Sequence, residues 1–431
     1  MRNFRIRVGF VMACAAAALV ACGGGGSSGG SANVRLINAT LTHASLSLLA
    51  NATTVVTADA VDTASAYAGV PSGSPALQIN DSVSGAVLTT TAPTVAKDQH
   101  FAVVAYESGG IVRTAVIAED TTAPATGTAA LRVFDAATDA GAIDVYVTDP
   151  AVDITTLSSP TFTFPSSTSV QASPFLSFGP GTYRVRVTGS GNPTDLRLDI
   201  PSVVLANQQI ATVILTPTIG GTLANGAVLV QQAAYTASRN TSARVRLAAA
   251  VSSNASVTAN AGATSIGAGV VAPAIGAYTN VPAGSAISVS VNGASIGAPA
   301  AALTAGSDTT LLVYGNPGTA TATLIADDNH LPASTSNFKL RLLNGVTGAA
   351  VPLTLDVNFA VVASNVVPGS ASSYAVVAAG TSGALTHIDV MSPASLTPIY
   401  TADVPIPGNA VFTLFMLGDA SAPIHLLRKD R

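Results

Sequence analysis

Apolar and polar side chains alternate in many short stretches of this chain. Ala142-Ile143-Asp144-Val145-Tyr146-Val147, Tyr183-Arg184-Val185-Arg186-Val187 and Ala286-Ile287-Ser288-Val289-Ser290-Val291 set an apolar residue at every second position. That is the period of a strand with one side on a core and the other in water. Residues 101–106, 210–215, 311–314 and 411–417 are apolar almost throughout and read as a strand late in each of several units. Pro71-Ser72-Gly73, Gly179-Pro180-Gly181 and Pro282-Ala283-Gly284 supply turns between strands. About six or seven strands per hundred residues, without helices, predict an all-β chain of immunoglobulin-like β-sandwiches.

The pattern repeats. Val34-Arg35-Leu36-Ile37-Asn38-Ala39 returns as Leu131-Arg132-Val133-Phe134-Asp135-Ala136, Val245-Arg246-Leu247-Ala248-Ala249-Ala250 and Leu340-Arg341-Leu342-Leu343-Asn344-Gly345, with the arginines 97, 114 and 95 positions apart. A second landmark keeps step: an aromatic residue precedes a glycine by six positions at Tyr67 and Gly73, Phe175 and Gly181, Tyr278 and Gly284, and Tyr374 and Gly380. Counted from the arginines, these aromatics stand at offsets of 32, 43, 32 and 33. The second copy therefore carries an insertion, placed in the Ser/Thr/Pro-rich residues 157–173. Four β-sandwich repeats are predicted at 32–124, 125–236, 237–335 and 336–431, because so long a chain exceeds a single core. The repeated arginine is read as the outward residue of a first strand, against the alternative of a shared binding role.

The first residues change the picture from fold to address. Arg2, Arg5 and Arg7 precede an apolar run over residues 8–20 that is too short to span a bilayer, the layout of a secretory signal over residues 1–21. Leu19-Val20-Ala21-Cys22 looks like the lipobox of bacterial lipoproteins. It implies cleavage between Ala21 and Cys22, a diacylglyceryl group on the Cys22 sulfur and a further acyl chain such as palmitate on the freed amine. Each buried methylene adds roughly 0.8 kcal/mol of membrane affinity, so several chains on one residue hold where one is marginal. Residues 22–31 then form the lipidated cysteine and a Gly/Ser tether. The expected location is the outer membrane, on its periplasmic face or at the cell surface, since Gly23 follows the cysteine where an aspartate signals inner-membrane retention.

Cys14 and Cys22 are the only cysteines, so the mature chain has no thiol for a disulfide, a zinc site or a nucleophile. Removing the three signal arginines from 18 basic residues leaves 15 against 22 acidic ones, a formal charge of −7. This disfavours nucleic acid as a partner. Only 9% of residues are charged, too few to build many surface helices.

The repeats resemble a family of domains of unknown function, DUF4397, carried by bacterial surface proteins. Its pattern opens like Val-Arg-Val-x-His-Ala-Ser, continues with Val-Asp-Val-Tyr-Val and then reads Tyr-x-x-Val-Pro-Ala-Gly-x-Tyr. The second repeat carries Leu131-Arg132-Val133-Phe134-Asp135-Ala136 and Ile143-Asp144-Val145-Tyr146-Val147; the first and third carry Val70-Pro71-Ser72-Gly73 and Val281-Pro282-Ala283-Gly284. Asn38, Asp135, Ala249 and Asn344 stand near the place of the family's histidine. The resemblance implies an exported, often anchored β-domain and supplies no activity.

Candidate chemistry is sparse. Gly293-Ala294-Ser295-Ile296-Gly297 fits a hydrolase nucleophile motif, but that motif needs a strand running into a helix. His43, His100, His330, His387 and His425 are scattered without metal-binding spacing. Glu119-Asp120 and Asp327-Asp328-Asn329 recur at unit ends, where Gln231-Gln232 stands instead after the second unit; they read as solvated strand ends, with calcium as the alternative. No catalytic residue, metal site or cofactor is assigned. The function expected is a non-catalytic cell-envelope lipoprotein, a structural or adhesive array of β-domains held to the membrane through Cys22 and touching envelope proteins or extracellular glycan; a glycan- or ligand-binding surface module is the alternative. Inserted loops commonly carry contacts, so Phe162 and Phe164 are the candidate contact pair.

Cys22→Ser is expected to move the protein from the detergent-soluble membrane fraction to the aqueous one on phase partition. Unchanged partition would remove the lipoprotein reading.

Overall fold

The computed structural model describes residues 30–348, 351–380 and 384–431. Ala21, Cys22 and almost all of the tether lie outside them. Among the described residues there are strands and three short 3-10 turns but no α-helix.

Four two-sheet sandwiches follow one another. In the first, Ser31–Asn38 lies between Ala68–Pro71, antiparallel to it, and His100–Ser108, parallel to it; Ile111–Ala118 completes the sheet. The opposing sheet runs in the order Thr53–Ala60, Ser45–Ala50, Leu77–Asp81, Val87–Thr91. Val34, Leu36, Leu46, Leu48, Ile79 and Val103 fill the space between them. The parallel pairing recurs as Ala129–Asp135 with Ile210–Pro217, Ser242–Val251 with Asp308–Gly315, and Asn337–Thr347 with Ala410–Asp419. A parallel pair cannot be joined by a tight hairpin, so the chain between the two strands must travel out through the second sheet and back. This requirement makes each repeat one closed unit. In the second unit the sheet of the opening strand runs past residue 236, since Tyr235–Ser238 pairs with Ala224–Val230.

The apolar late strands have a second reason to be apolar. Residues of Ile210–Pro217 are buried along its whole length, and Ala410–Asp419 is exposed only at its last residue. A strand that alternates needs one dry face, whereas these have two. One face meets the unit's own core; the other meets the neighbouring unit. Ile37, Val104 and Ile117 of the first unit pack on Phe134, Ile214 and Leu229 of the second. In the same way Ala248, Ala250 and Leu312 of the third meet Leu343, Phe415 and Leu417 of the fourth. Gly345 sits in that second seam, where an added methyl group would come within 2.9 Å of the Ala250 Cβ and 2.8 Å of a Leu417 methyl. The seam tolerates no side chain there.

The two pairs also touch. The Gly220 amide donates to the Gly306 carbonyl at 2.9 Å, and the Asn329 amide donates to the Gly220 carbonyl at 3.0 Å. A Cβ on Gly220 would stand 2.4 Å from the Asp308 amide nitrogen.

The insertion in the second unit is not the free loop expected. Phe162–Phe164 forms an edge strand antiparallel to Ile143–Thr148, and both phenylalanines point into the sandwich, 7% and 3% exposed. They belong to the core with Val145, Val187 and Leu198. Phe162 and Phe164 are therefore not an exposed contact pair. Two aromatics two positions apart, with a polar residue between them, satisfy the strand period as readily as a loop, and the hydrogen bonds of Ile143–Thr148 were available to capture them.

Phe164→Ala is expected to lower the stability of the second unit by about 3–5 kcal/mol, the cost of emptying a buried aromatic site, measured by denaturant unfolding. A loss under about 0.5 kcal/mol would mean that the side chain is not part of the core.

Candidate functional site between the units

Each opening strand alternates between the sandwich core and the outer face, and the repeated arginine falls on the outer face. That placement follows from period two. What alternation alone leaves open is that the outer face is covered: Arg35, Arg246 and Arg341 are only 4%, 2% and 2% exposed. A guanidinium taken out of water must find acceptors and a tolerant surface or the fold loses several kcal/mol.

The surroundings provide both. The second landmark of the sequence turns out to be the partner of the first. Tyr67 lies under Arg35 with 5.0 Å from guanidinium carbon to ring centre, Phe175 under Arg132 at 4.5 Å, Tyr278 under Arg246 at 4.6 Å and Tyr374 under Arg341 at 4.6 Å. These are cation–π distances, strongest where water is excluded. The late strand adds an oxygen: the Nε groups of Arg132, Arg246 and Arg341 donate to Thr212, Thr310 and Thr413 at 3.1, 2.9 and 3.1 Å. Each threonine is the parallel register partner of its arginine. In the first unit the register partner is Ala102, and Arg35 Nε donates to Glu119 at 2.8 Å instead.

Carboxylates complete the set. Arg341 of the fourth unit bonds Asp327 at the end of the third, and Arg246 of the third bonds Asp430 at the end of the fourth. Asp327 also lies 3.7 Å from Arg246. Residue for residue this is the reciprocal exchange of a two-fold interface, made here within one chain. The first pair of units breaks the reciprocity. Its second unit ends in Gln231-Gln232, so Arg35 keeps Glu119 from its own unit and donates to the Ala233 carbonyl at 2.6 Å, while the Gln232 amide donates to Glu119 at 2.9 Å.

The acidic junctions are thus not solvated strand ends. Glu119 and Asp327 are 2% and 3% exposed and serve as counter-charges of the repeated arginines. Their neighbours do face water: Asp328 bonds Lys339 at 2.5 Å, and Asp120 lies 3.1 Å from His100. Among the described residues no three His, Cys, Asp or Glu side chains converge as a metal site.

The remaining candidates are dispersed. His43 pairs with Asp81 at 2.8 Å, His330 with Asp328 at 2.6 Å, and His387 lies between Asp403 at 2.8 Å and Asp389 at 3.0 Å. His425 stacks on Tyr400. Ser295 sits in a hairpin, where Asn292 and Gly293 make a two-residue turn with positive φ at both positions and Ala294–Ile296 follows as a strand. That turn is the ordinary Asn-Gly hairpin, and no helix follows to raise the serine.

One group was missed. Asp139, in the short turn Thr138–Ala140, is 7% exposed, and neither carboxylate oxygen has a hydrogen-bond partner. It lines a cleft of about 570 Å³ between units. Nothing in the local sequence Ala137-Thr138-Asp139-Ala140 marks it, because its burial comes from residues some two hundred positions away.

These features define a class: tandem all-β sandwiches whose paired outer faces are closed by buried arginines. Residues 32–146 match a family described as a domain of unknown function (DUF4397), a span that covers the first unit and reaches into the second. Among solved structures the chain is similar to a candidate cell adhesion protein from Bacteroides uniformis ATCC 8492, at 12% identity over 48% of this chain and 99% of that chain, with a TM-score of 0.20. A score that low carries no argument. The curated proteins contain no match to the sequence.

Arg341→Ala leaves Asp327 buried with its main counter-charge removed, and a loss of about 3–5 kcal/mol is expected. The double variant Arg341→Met, Asp327→Leu is expected to recover part of it, since Arg246 keeps Asp430 while the Tyr278 and Thr310 hydroxyls lose an acceptor. Denaturant unfolding of both proteins makes the check, and wild-type stability in Arg341→Ala would mean that the repeated arginine does not hold the seam.

Proposed function

We propose that the protein is a non-catalytic cell-envelope lipoprotein, lipidated on Cys22 after cleavage at Ala21, whose four sandwiches form a structural or adhesive array at the outer membrane. The observation that carries this reading is the use made of the charged residues. The arginines and acids that recur with the repeats are buried between units, where they fix one sandwich against the next. A chain built this way supports the presentation of surface at a distance from an anchor, with the Gly/Ser tether giving clearance. The basic first residues, the short apolar run and Leu19-Val20-Ala21-Cys22 support export and lipidation. Partners of this array are envelope proteins or extracellular glycan.

The test compares cells carrying the wild-type chain with cells that secrete the Cys22→Ser chain in equal amount. Wild-type cells are expected to attach more strongly to partner cells or to a coated matrix. Equal attachment would show that anchored presentation is not what the chain does.

A further inference from the structure

The seams inside the two pairs of units are apolar, but the joint between the pairs is not. Apolar clusters join the first unit to the second and the third to the fourth. Among the described residues no apolar cluster holds side chains of both pairs. What crosses the joint is polar. Besides the bonds at Gly220, Arg431 of the fourth unit donates to the Gly221 carbonyl at 2.9 Å, and the Asn280 side chain of the third donates to the Leu196 carbonyl at 2.6 Å. Domains joined without a large apolar contact move relative to each other by default.

His330, in the segment from the third unit to the fourth, is the titratable group at this joint. Its Nε2 lies 2.8 Å from the Thr218 carbonyl oxygen and 3.5 Å from Asp139 Oδ2, both of the second unit, while its Nδ1 lies 2.6 Å from Asp328. All three are acceptors. A neutral imidazole has one N–H and one lone pair, so only the doubly protonated ring satisfies both close contacts. Deprotonation turns a lone pair toward an oxygen of Thr218 or Asp328 and leaves the Asp139 carboxyl, whose oxygens are buried without a hydrogen bond, beside an uncharged ring. Lys339 stands on the other side, donating to the His330 carbonyl at 3.1 Å, and Arg431 acts on Asp139.

We propose that the joint between the two pairs is a pH-gated hinge, latched by His330 and Asp139: it stays closed while His330 carries both ring protons and opens as one is lost. Burial works against the charge on His330, but the Asp328 hydrogen bond and the Asp139 charge outweigh it and hold the histidine above its ordinary value. The preference for the closed joint is therefore complete below about 6.5, the ordinary histidine value, and is lost as pH rises through the raised one. Burial lifts Asp139 above the usual carboxylate range against the pull of His330 and Arg431, which adds to the loss in the same direction. Histidine is the side chain suited to such a switch near neutral pH.

The test uses the mature full chain with Cys22→Ser and a dye pair on Val204→Cys of the second unit and Val361→Cys of the fourth, both exposed strand positions. Energy transfer between the dyes reads the open-to-closed ratio, which is expected to rise by about tenfold between about pH 6 and pH 9. Circular dichroism over the same range is expected to stay constant, since the sandwiches themselves do not unfold. Asp139→Asn removes the charge without adding bulk and is expected to shrink the change at least about threefold. The double variant His330→Gln, Asp139→Asn is expected to abolish it, and the single variant keeps the result readable if the double one does not fold. A wild-type ratio that is the same at both pH values, or a change of undiminished size in either variant, overturns the hinge.

Discussion

A buried guanidinium is the constraint around which the rest of this molecule is arranged. An arginine on the outer face of a strand is ordinary when that face meets water. Once a second sandwich covers the face, the charge needs acceptors at every donor and a surface that does not repel it. In the third and fourth units most of the need is met by a threonine across the parallel pair, an aromatic ring beneath and an aspartate from the other unit, while Arg246 Nη2 is left with Asp327 at 3.7 Å and no hydrogen bond. Removal of any one partner leaves the others with an unmet charge or an empty space. The arginines therefore specify which face docks on which, and in what register, more than they add to net stability.

The same docking explains the composition of the strands. The late strands are apolar on both faces because both are covered, as in a sheet packed between two layers. Close approach of two sheets also demands small residues, and Ala248, Ala250 and Gly345 occupy the third and fourth units' seam.

The two seams are not equal. The third and fourth units exchange acids reciprocally, while the first and second lack one acid and one threonine, with Gln231 and Ala102 in those places. Backbone carbonyls of Val230 and Ala233 take over at 3.3 and 2.6 Å. The first seam thus holds its arginine through one carboxylate and local turn geometry. It is also the seam beside which the inserted segment of the second unit builds its cleft.

Much of this was legible in the residues themselves. Period-two alternation placed the strands, the spacing of Arg35, Arg132, Arg246 and Arg341 set out four units, and the single long offset to Phe175 located the insertion. These features are local or periodic, and backbone geometry translates them directly into strand, turn and repeat. The contents of the insertion were not legible, because Phe162-Thr163-Phe164 is compatible with a loop or an edge strand until Ile143–Thr148 is seen to have a free edge. Nor was the fate of Glu119 and Asp327. Both landmarks, the arginine and the aromatic, were visible as a pair of repeats, but not as partners in contact. The sequence by itself determined which residues recur and which side of a strand each one takes; the tertiary structure alone decided whether that side meets water or another unit, since burial depends on residues far away in the chain, and burial is what turns a surface arginine into a structural one.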